Sequence, residues 1–124
     1  MTSADTLTAL RKIGFSDRDR LALRFWFEVS SLREAVNLAA ELRMTREVAV
    51  ELRPAPRRLS TRRPWRVALR TPSTLLTGAV IASREREMEE VAGRRGGCRF
   101  VGWTPVLEAA DVNRILFSPD GWPI

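Results

Sequence analysis

The 124-residue sequence contains no histidine and only one cysteine, Cys98. Without histidine the chain cannot build a Ser-His-Asp triad, a Cys-His dyad, a histidine general base or a histidine-ligated metal site. A single cysteine forms no disulfide within the chain and no thiolate cluster. Cys98 could serve as a lone nucleophile, but a buried, inert thiol is the more common role of such a residue. We therefore expect no enzymatic activity, no metal and no cofactor.

Long apolar runs are missing as well. No stretch approaches the roughly 18 apolar residues that a membrane-spanning helix needs. The first residues, Met1 to Asp5, have neither the basic cluster nor the following apolar segment of a signal peptide. Hydrophobic residues make up 44% of the chain, enough for one small core, and the length fits one domain of roughly 100–200 residues. The sequence predicts a single cytoplasmic domain over 1–124 with no membrane contact.

The charge is strongly one-sided, with 21 basic residues, 15 acidic residues and a net charge of +6. Lys12 is the only lysine, so the basic residues are almost entirely arginine. A positive net charge favours polyanionic partners and opposes binding to basic surfaces.

Apolar periodicity predicts the helices and strands. Leu7, Leu10 and Ile13 recur at helical spacing, and Gly14 follows them. From Leu21 to Val29 every odd position is apolar, which is typical of a strand with one buried face. Ser31 and Glu34 form a capping-box pattern at the start of a second helix. The predicted helices cover 3–13, 31 to about 43, and a segment from between 73 and 83 to about 95; the predicted strands cover 21–29, 46–53, 65–70 and 98–103.

The resulting order, β-α-β-β-α-β, is that of an α+β, ferredoxin-like sandwich. We expect a four-stranded antiparallel sheet with both helices on one face, a core over about 20–104, an N-terminal helix over 3–13 and a C-terminal tail over 105–124. Thr104-Pro105 favours a helix start in that tail. The face toward the helices should bury Leu23, Phe25, Phe27, Val48, Val50, Val67, Leu69 and Phe100.

Several short motifs stand out along the chain: the strand Phe25-Trp-Phe, the alanine-rich helix after it, Trp65 at the start of the third strand, and Gly96-Gly97 followed by Gly102-Trp103. Together they resemble the B-type regulators of ribonuclease E activity. The resemblance covers roughly residues 5–105. It implies a ferredoxin-like fold and a non-catalytic protein that binds an RNA-degrading endonuclease and alters which transcripts are cut. The better-known members are acidic, whereas this chain is basic, and like charges would disfavour the same docking on a basic nuclease region.

The sheet face away from the helices is the first candidate site. It should carry Arg24, Trp26, Glu28, Arg66 and Arg70 on the two central strands. An aromatic ring among arginines is how RNA-recognition sheets stack bases and hold phosphates. Alternatively, the tail or a second subunit covers Trp26, and Glu28, Glu47 and Glu51 neutralise the arginines across strands. The alternative is favoured, because RNA-binding sheets usually present two or three aromatic side chains.

The proline-rich loop 54–64 is the second candidate, with Arg57, Arg58, Arg62 and Arg63 and no acidic residue. Such a loop can act as a cationic arm that adds sequence-independent affinity for phosphates. A plain solvated connector explains it equally well.

Two further patterns are better explained by structure than by a site. Gly96 and Gly97 follow a predicted helix instead of preceding one, so they are more typical of a helix C-terminus than of a phosphate-binding loop. Trp103 is then expected to be a packing residue or an anchor for a partner. Glu85, Glu87, Glu89 and Glu90 alternate with arginines on a helix, which favours a solvated, ion-paired surface over an acid–base site.

Taken together, the sequence predicts a non-catalytic regulatory protein that docks on a protein partner, such as an RNA-degrading nuclease. The alternative is a small basic module that binds RNA or the ribosome through the arginine-rich loop and the sheet face. Self-association as a homodimer is a third hypothesis. The tail after residue 110 carries enough apolar side chains, including Phe117 and Trp122, that we expect it to pack on a surface beside Trp26.

Overall fold

The computed structural model describes residues 3–45, 49–54 and 64–108, which form an α+β structure. Its three helices are α1 (Ser3–Lys12), α2 (Leu32–Thr45) and α3 (Gly78–Gly93). Its strands are β1 (Arg20–Val29), β2 (Ala49–Pro54), β3 (Trp65–Arg70), β4 (Thr74–Leu75) and β5 (Cys98–Val106). Each predicted helix and strand is therefore present within this part of the chain, with shifts at the ends.

The strands form one open antiparallel sheet with β1 at its centre. β3 lies between β2 and β1, while β4 and β5 both pair with β1. Phe27 of β1 lies opposite Val67 of β3 on one side and opposite Phe100 of β5 on the other. The two-residue strand β4, which pairs with Arg20 and Leu21, was not predicted from the sequence.

Local hydrogen bonds fix the helix ends. At the start of α2, the Glu34 amide donates to the Ser31 hydroxyl over 3.1 Å, as the capping pattern predicts. Thr77 caps α3 in the same way by accepting from the Val80 amide over 3.2 Å. Beyond α1, the Phe15 amide donates to the Leu10 carbonyl over 3.0 Å. Both of these side chains are buried, so the end of α1 is also anchored in the core.

The hydrophobic core lies between the helices and one face of the sheet, which we call the helix face. Phe25 and Phe27 of β1 have no exposed surface, and both rings contact Phe100, at centroid distances of 6.1 Å and 5.5 Å. The predicted core residues within the described segments are all buried, while Val48 lies outside them. From α2 and α3 the core receives Ala35, Leu38, Leu42, Ile81, Met88 and Val91.

β5 is longer than predicted and irregular. The expectation of a helix start at Thr104-Pro105 is wrong, because both residues lie within β5 and pair with β1. An edge strand tolerates proline, whose missing N–H costs no ladder bond on an unpaired side. Phe100 lies opposite Phe27 and Gly102 opposite Trp26, so Val101 has no opposite residue and forms a β-bulge.

Two glycines make the connection into β5 and its bulge. Gly97 has φ of 72°, and its carbonyl accepts a 2.9 Å hydrogen bond from the Ser30 amide, which ties the start of β5 to the end of β1. A side chain at this position would collide with the Ser30 hydroxyl. Gly102 has φ of 128°, a conformation that L-residues with a side chain rarely adopt.

Some expectations fall on other parts of the chain. Residues 46–48, the loop arginines Arg57, Arg58, Arg62 and Arg63, and the tail from residue 109 onward lie outside the described residues. Within the segments that the structure covers, no helix has the length and apolar character needed to cross a membrane.

Candidate functional site

The side of the sheet opposite the helix face carries most of the predicted site residues. We call it the open face; it consists of Arg24, Trp26, Glu28, Glu51, Arg53, Arg66, Ala68, Arg70 and Thr104. Arg24 lies opposite Arg70, Trp26 opposite Ala68, and Glu28 opposite Arg66. Because side chains alternate along a strand, these even-numbered β1 residues point away from the core. The structure thus brings Arg24, Trp26, Arg66 and Arg70 together.

Trp26 stands at the centre of the open face and is held by three neighbours. Its indole N–H donates to the Thr104 hydroxyl over 2.9 Å. The guanidinium carbons of Arg53 and Arg66 each lie 5.7 Å from the ring centroid, within cation–π range. The ring is therefore fixed in one orientation while remaining partly exposed.

Glutamates neutralise the arginines around this ring. Glu28, whose residue is 5% exposed, pairs with Arg66 over 3.3 Å. Glu51 pairs with Arg53 over 2.8 Å and with Arg24 over 3.4 Å. The expected cross-strand pairing by Glu28 and Glu51 is thus present, while Glu47 lies outside the described residues. The open face is a patterned surface of both charges rather than a uniformly basic one.

Two arginines on this face keep an unused donor. The Nε atoms of Arg24 and Arg66 are buried and have no hydrogen-bond partner among the described residues. At the far end of β3, Arg70 pairs with Glu108 over 3.0 Å. An unpaired buried donor carries a desolvation cost, so these two Nε atoms slightly destabilise the folded open face.

Trp103 does not join the open face. It lies opposite Phe25, faces the helices and is only 6% exposed. Its indole N–H donates to the Ser3 hydroxyl at the start of α1 over 2.9 Å. Of the two roles considered for Trp103, packing is the one that this position supports.

The charged surface of α3 and the junction of the two long helices are held by ion pairs. Arg84 and Glu87 are 3.4 Å apart, and both are substantially exposed. Arg95 contacts Glu41 over 3.3 Å and Glu34 over 3.9 Å, joining the end of α3 to α2. In the part of the chain that the structure describes, no group of three or more acidic, histidine or cysteine residues could hold a metal ion.

A cleft of about 420 Å³ lies beside the bulge of β5. It reaches around the strand, because its walls come from both faces of the sheet. Trp26, Arg66 and Thr104 line it from the open face, while Ser3, Thr6, Trp103 and Glu85 line it from the helix side. Gly102 also lines the cleft, and an added Cβ there would meet no atom within 4 Å.

The sequence did not single out Arg53, Thr104 or Ser3, although each holds a site residue in place. Arg53 lies two residues after Glu51 on β2 and therefore on the same face of the sheet. Once β2 is assigned, the alternation of side chains along the strand is enough to predict this position. The partners of Trp26 and Trp103 depend on the β5 register, and the bulge makes that register irregular.

Comparisons of the chain with protein-family models, with curated proteins and with solved structures gave no match.

Proposed function

We propose that this chain is a non-catalytic regulatory protein that docks through its open face on a protein partner. The proposed partner is an RNA-degrading endonuclease of the ribonuclease E type. The proposed core is a ferredoxin-like β-α-β-β-α-β unit formed by β1, α2, β2, β3, α3 and β5, with α1 and β4 added. The antiparallel order β2-β3-β1-β5, with β1 and β3 in the middle, supports this assignment.

One observation carries the docking proposal: a tryptophan held rigid at the centre of a sheet face that none of the three described helices covers. Tryptophan and arginine are the residue types most enriched among interface hot spots. Holding Trp26 in place by Thr104, Arg53 and Arg66 before binding reduces the entropy that docking would cost.

The charge pattern favours a protein over RNA at this face. The guanidinium groups that would hold phosphates are already paired with Glu28, Glu51 and Glu108, and two of them stack on the ring that would hold a base. A mixed pattern of both signs matches a partner of complementary pattern and disfavours a uniform polyanion.

The endonuclease as partner is supported by the resemblance and by where its motif residues lie. Gly102, next to Val101 in the bulge, lies opposite Trp26, and the buried Trp103 lies opposite Phe25. These motif residues are therefore neighbours across β1 and β5, with Trp26 on the open face and Trp103 on the helix face.

The test is to add the purified chain to purified ribonuclease E from the same organism and follow cleavage of a labelled RNA. We expect a saturable change in the cleavage rate and no cleavage by the chain alone. The variant Trp26→Ala should lose the effect, while Arg84→Gln on the exposed side of α3 should keep it. An unchanged rate at every concentration, or an equal effect from Trp26→Ala in a folded sample, would refute the proposal.

The second candidate function, RNA or ribosome binding, is favoured by one observation, the net charge of +6. Its carrier would be the loop arginines Arg57, Arg58, Arg62 and Arg63. Replacing all four by serine should flatten the salt dependence of RNA binding, because each phosphate contact contributes roughly 0.7–0.9 to the slope against log salt. If the salt dependence of RNA binding does not change, the loop only connects β2 to β3 and does not bind RNA.

A further inference from the structure

We infer that the outer side of α2 is a second docking surface, which takes an acidic amphipathic helix of a protein partner. The surface is a row of four residues, which we call the α2 stripe: Leu32, Val36, Ala40 and Met44. Because α2 packs on the helix face of the sheet, the α2 stripe lies on the opposite side of the molecule from Trp26. The inference therefore goes beyond docking through the open face and does not depend on it.

The α2 stripe is apolar and exposed from one end of the helix to the other. Leu32 is 47% exposed, Val36 52% and Met44 88%, and Ala40 between them is exposed as well. Among the described residues, the only other large hydrophobic residue that is exposed is Leu107. Single exposed apolar residues are ordinary on a protein surface, whereas a contiguous group of them marks an interaction site.

The spacing of the α2 stripe fits another helix. Residues four positions apart lie above one another on one side of a helix and form a ridge. The core side of α2 is formed by other residues, including Leu38 and Leu42, so this helix has two apolar sides, of which the fold covers one. A ridge one residue wide packs into the groove between two ridges of a second helix, and the small Ala40 at its middle allows a close approach.

Two exposed arginines border the α2 stripe, Arg33 near its start and Arg43 near its end. They lie ten positions apart, or roughly 15 Å along the helix axis at 1.5 Å per residue. Arg43 donates to the Val50 carbonyl over 3.3 Å, and a carbonyl is not a counter-charge. Within the part of the chain that the structure describes, neither arginine forms an ion pair, so both ends of the stripe are positively charged.

The carboxylates of α2 do not offset this charge. Glu34 and Glu41 contact Arg95 over 3.9 Å and 3.3 Å, which directs them toward the end of α3. The surface that a partner meets is therefore an apolar row with a positive charge at each end. Its complement is an apolar row with carboxylates beside it, and the net charge of +6 also favours an acidic partner.

Two other occupants fit this surface less well. A second copy of the chain would bring Arg33 and Arg43 against the same two residues, and four stripe residues are far fewer than the roughly 20–30 a side of a stable interface. A membrane surface is flat, and helices that lie in it present a broad apolar face with tryptophan, phenylalanine or leucine. The α2 stripe is narrow and has an alanine at its middle.

Two blocked peptides of about 18 residues, or five helical turns, test the charge preference. Both carry leucine at positions a and d of a heptad repeat and alanine or glutamine elsewhere, except at e and g, which are glutamate in one peptide and lysine in the other. Fluorescence anisotropy measures their affinity for the full chain, and NMR amide shifts locate the contact. We expect the glutamate peptide to bind at least about tenfold more tightly, because attraction at two arginines replaces repulsion, and the shifts to centre on residues 32–44.

Substitutions in the α2 stripe test the apolar contact. The double variant Val36→Ser with Met44→Ser should weaken binding of the glutamate peptide by at least about tenfold, because the partner helix buries both side chains. The matched control Leu107→Ser removes an exposed apolar side chain at the end of β5 and should leave the affinity unchanged. Since all three residues are exposed, thermal denaturation should give the native melting temperature for each variant.

Charge reversal tests the two arginines. In the double variant Arg33→Glu with Arg43→Glu the preference should invert, so that the lysine peptide binds more tightly. Arg33→Glu alone keeps the bond from Arg43 to Val50 and should shift the preference in the same direction by a smaller factor. The control Arg86→Glu, at an exposed position of α3, should keep the native preference.

Equal affinity for the two peptides, an equal loss in Leu107→Ser, or amide shifts centred outside α2 would each overturn the inference. A dimer in sedimentation that Val36→Ser with Met44→Ser abolishes would instead assign the stripe to a second copy. Binding to phosphatidylserine vesicles without binding to either peptide would assign it to a membrane surface. Trp26→Ala should bind the glutamate peptide like the native chain, so a failure here and a failure of docking through the open face are distinguishable.

Discussion

The two faces of β1 are stabilised in different ways by residues that alternate along one strand. On the helix face, Leu23, Phe25 and Phe27 have no exposed surface and belong to the hydrophobic core cluster. On the open face, Arg24, Trp26 and Glu28 are held by ion pairs, a hydrogen bond and stacked guanidinium groups. Burial of apolar surface stabilises the helix face by a large free energy that has no preferred direction. The contacts on the open face are individually weak, but they fix the orientation of its side chains.

Adjacent substitutions on β1 test this difference most strongly. Phe27→Ala should lower the free energy of unfolding by about 3–5 kcal/mol, because it removes a fully buried ring and leaves a cavity beside Phe100. Trp26→Ala should cost less than about 2 kcal/mol, since that ring is partly exposed. Urea denaturation of both variants measures the gap, and a Trp26→Ala cost equal to that of Phe27→Ala would place the open face within the core.

A second comparison concerns the buried carboxylate of the open face. Glu28→Gln should cost roughly 2 kcal/mol, because it leaves the guanidinium of Arg66, 20% exposed, without its counter-charge. Partial exposure keeps the loss below the 3–5 kcal/mol typical of a fully buried pair. Glu87→Gln, whose pair with Arg84 is exposed, should change the unfolding free energy by less than about 0.5 kcal/mol. Equal costs in thermal denaturation would mean that burial does not strengthen the Glu28–Arg66 pair.

The bulge can be tested by a change of backbone freedom alone. Gly102→Ala should cost about 1–2 kcal/mol, because φ of 128° is strained for alanine although its Cβ meets no atom within 4 Å. Gly96→Ala is the control, since Gly96 also has open space but no positive φ. The difference in melting temperature between the two variants isolates the backbone term, and identical melting temperatures would contradict the bulge conformation.

The smallest expected effect is on the contact that orients Trp26. Thr104→Val removes the hydroxyl that accepts the indole N–H, at a cost of about 0.5–1 kcal/mol. The emission of Trp26 should also change as the ring loses its hydrogen bond, whereas Thr8→Val on the exposed side of α1 should alter neither property. A Thr104→Val variant with the stability and emission of the native chain would show that stacking alone fixes the ring.

Local patterns were enough to predict most of the elements. The alternation from Leu21 to Val29 and the Ser31–Glu34 cap depend on neighbours in sequence, and both are present in the structure. The end of β5 was predicted wrongly because Thr104-Pro105 favours a helix start locally, while pairing with β1 extends the strand through both residues. Tertiary pairing overrides the local preference there.

The candidate site was predictable in its membership but not in its contacts. Strand alternation alone places Arg24, Trp26, Arg66 and Arg70 on one face. Which glutamate pairs with which arginine depends on the register of β2, and the partner of Trp26 depends on the register of β5. Phe100 and Trp103 lie three positions apart on one strand, and both are on the helix face. In a regular strand, residues on one face are an even number of positions apart, so this spacing indicates the bulge in the sequence.

The pairing of β1 with β5 also governs how the chain can fold as it is made. Roughly 70 residues separate the end of β1 from the start of β5, and the bond between Trp103 and Ser3 spans 100 positions. At a synthesis rate of roughly 5–20 residues per second, β1 waits about 4–14 s for the strand that completes its second side. During that time one edge of β1, the strand that carries Phe25 and Phe27, has no β5 paired with it. An unpaired strand edge with apolar side chains makes the nascent chain prone to aggregation. Contacts this distant in sequence also slow refolding in vitro, so the domain should fold late on the ribosome and over milliseconds to seconds in solution.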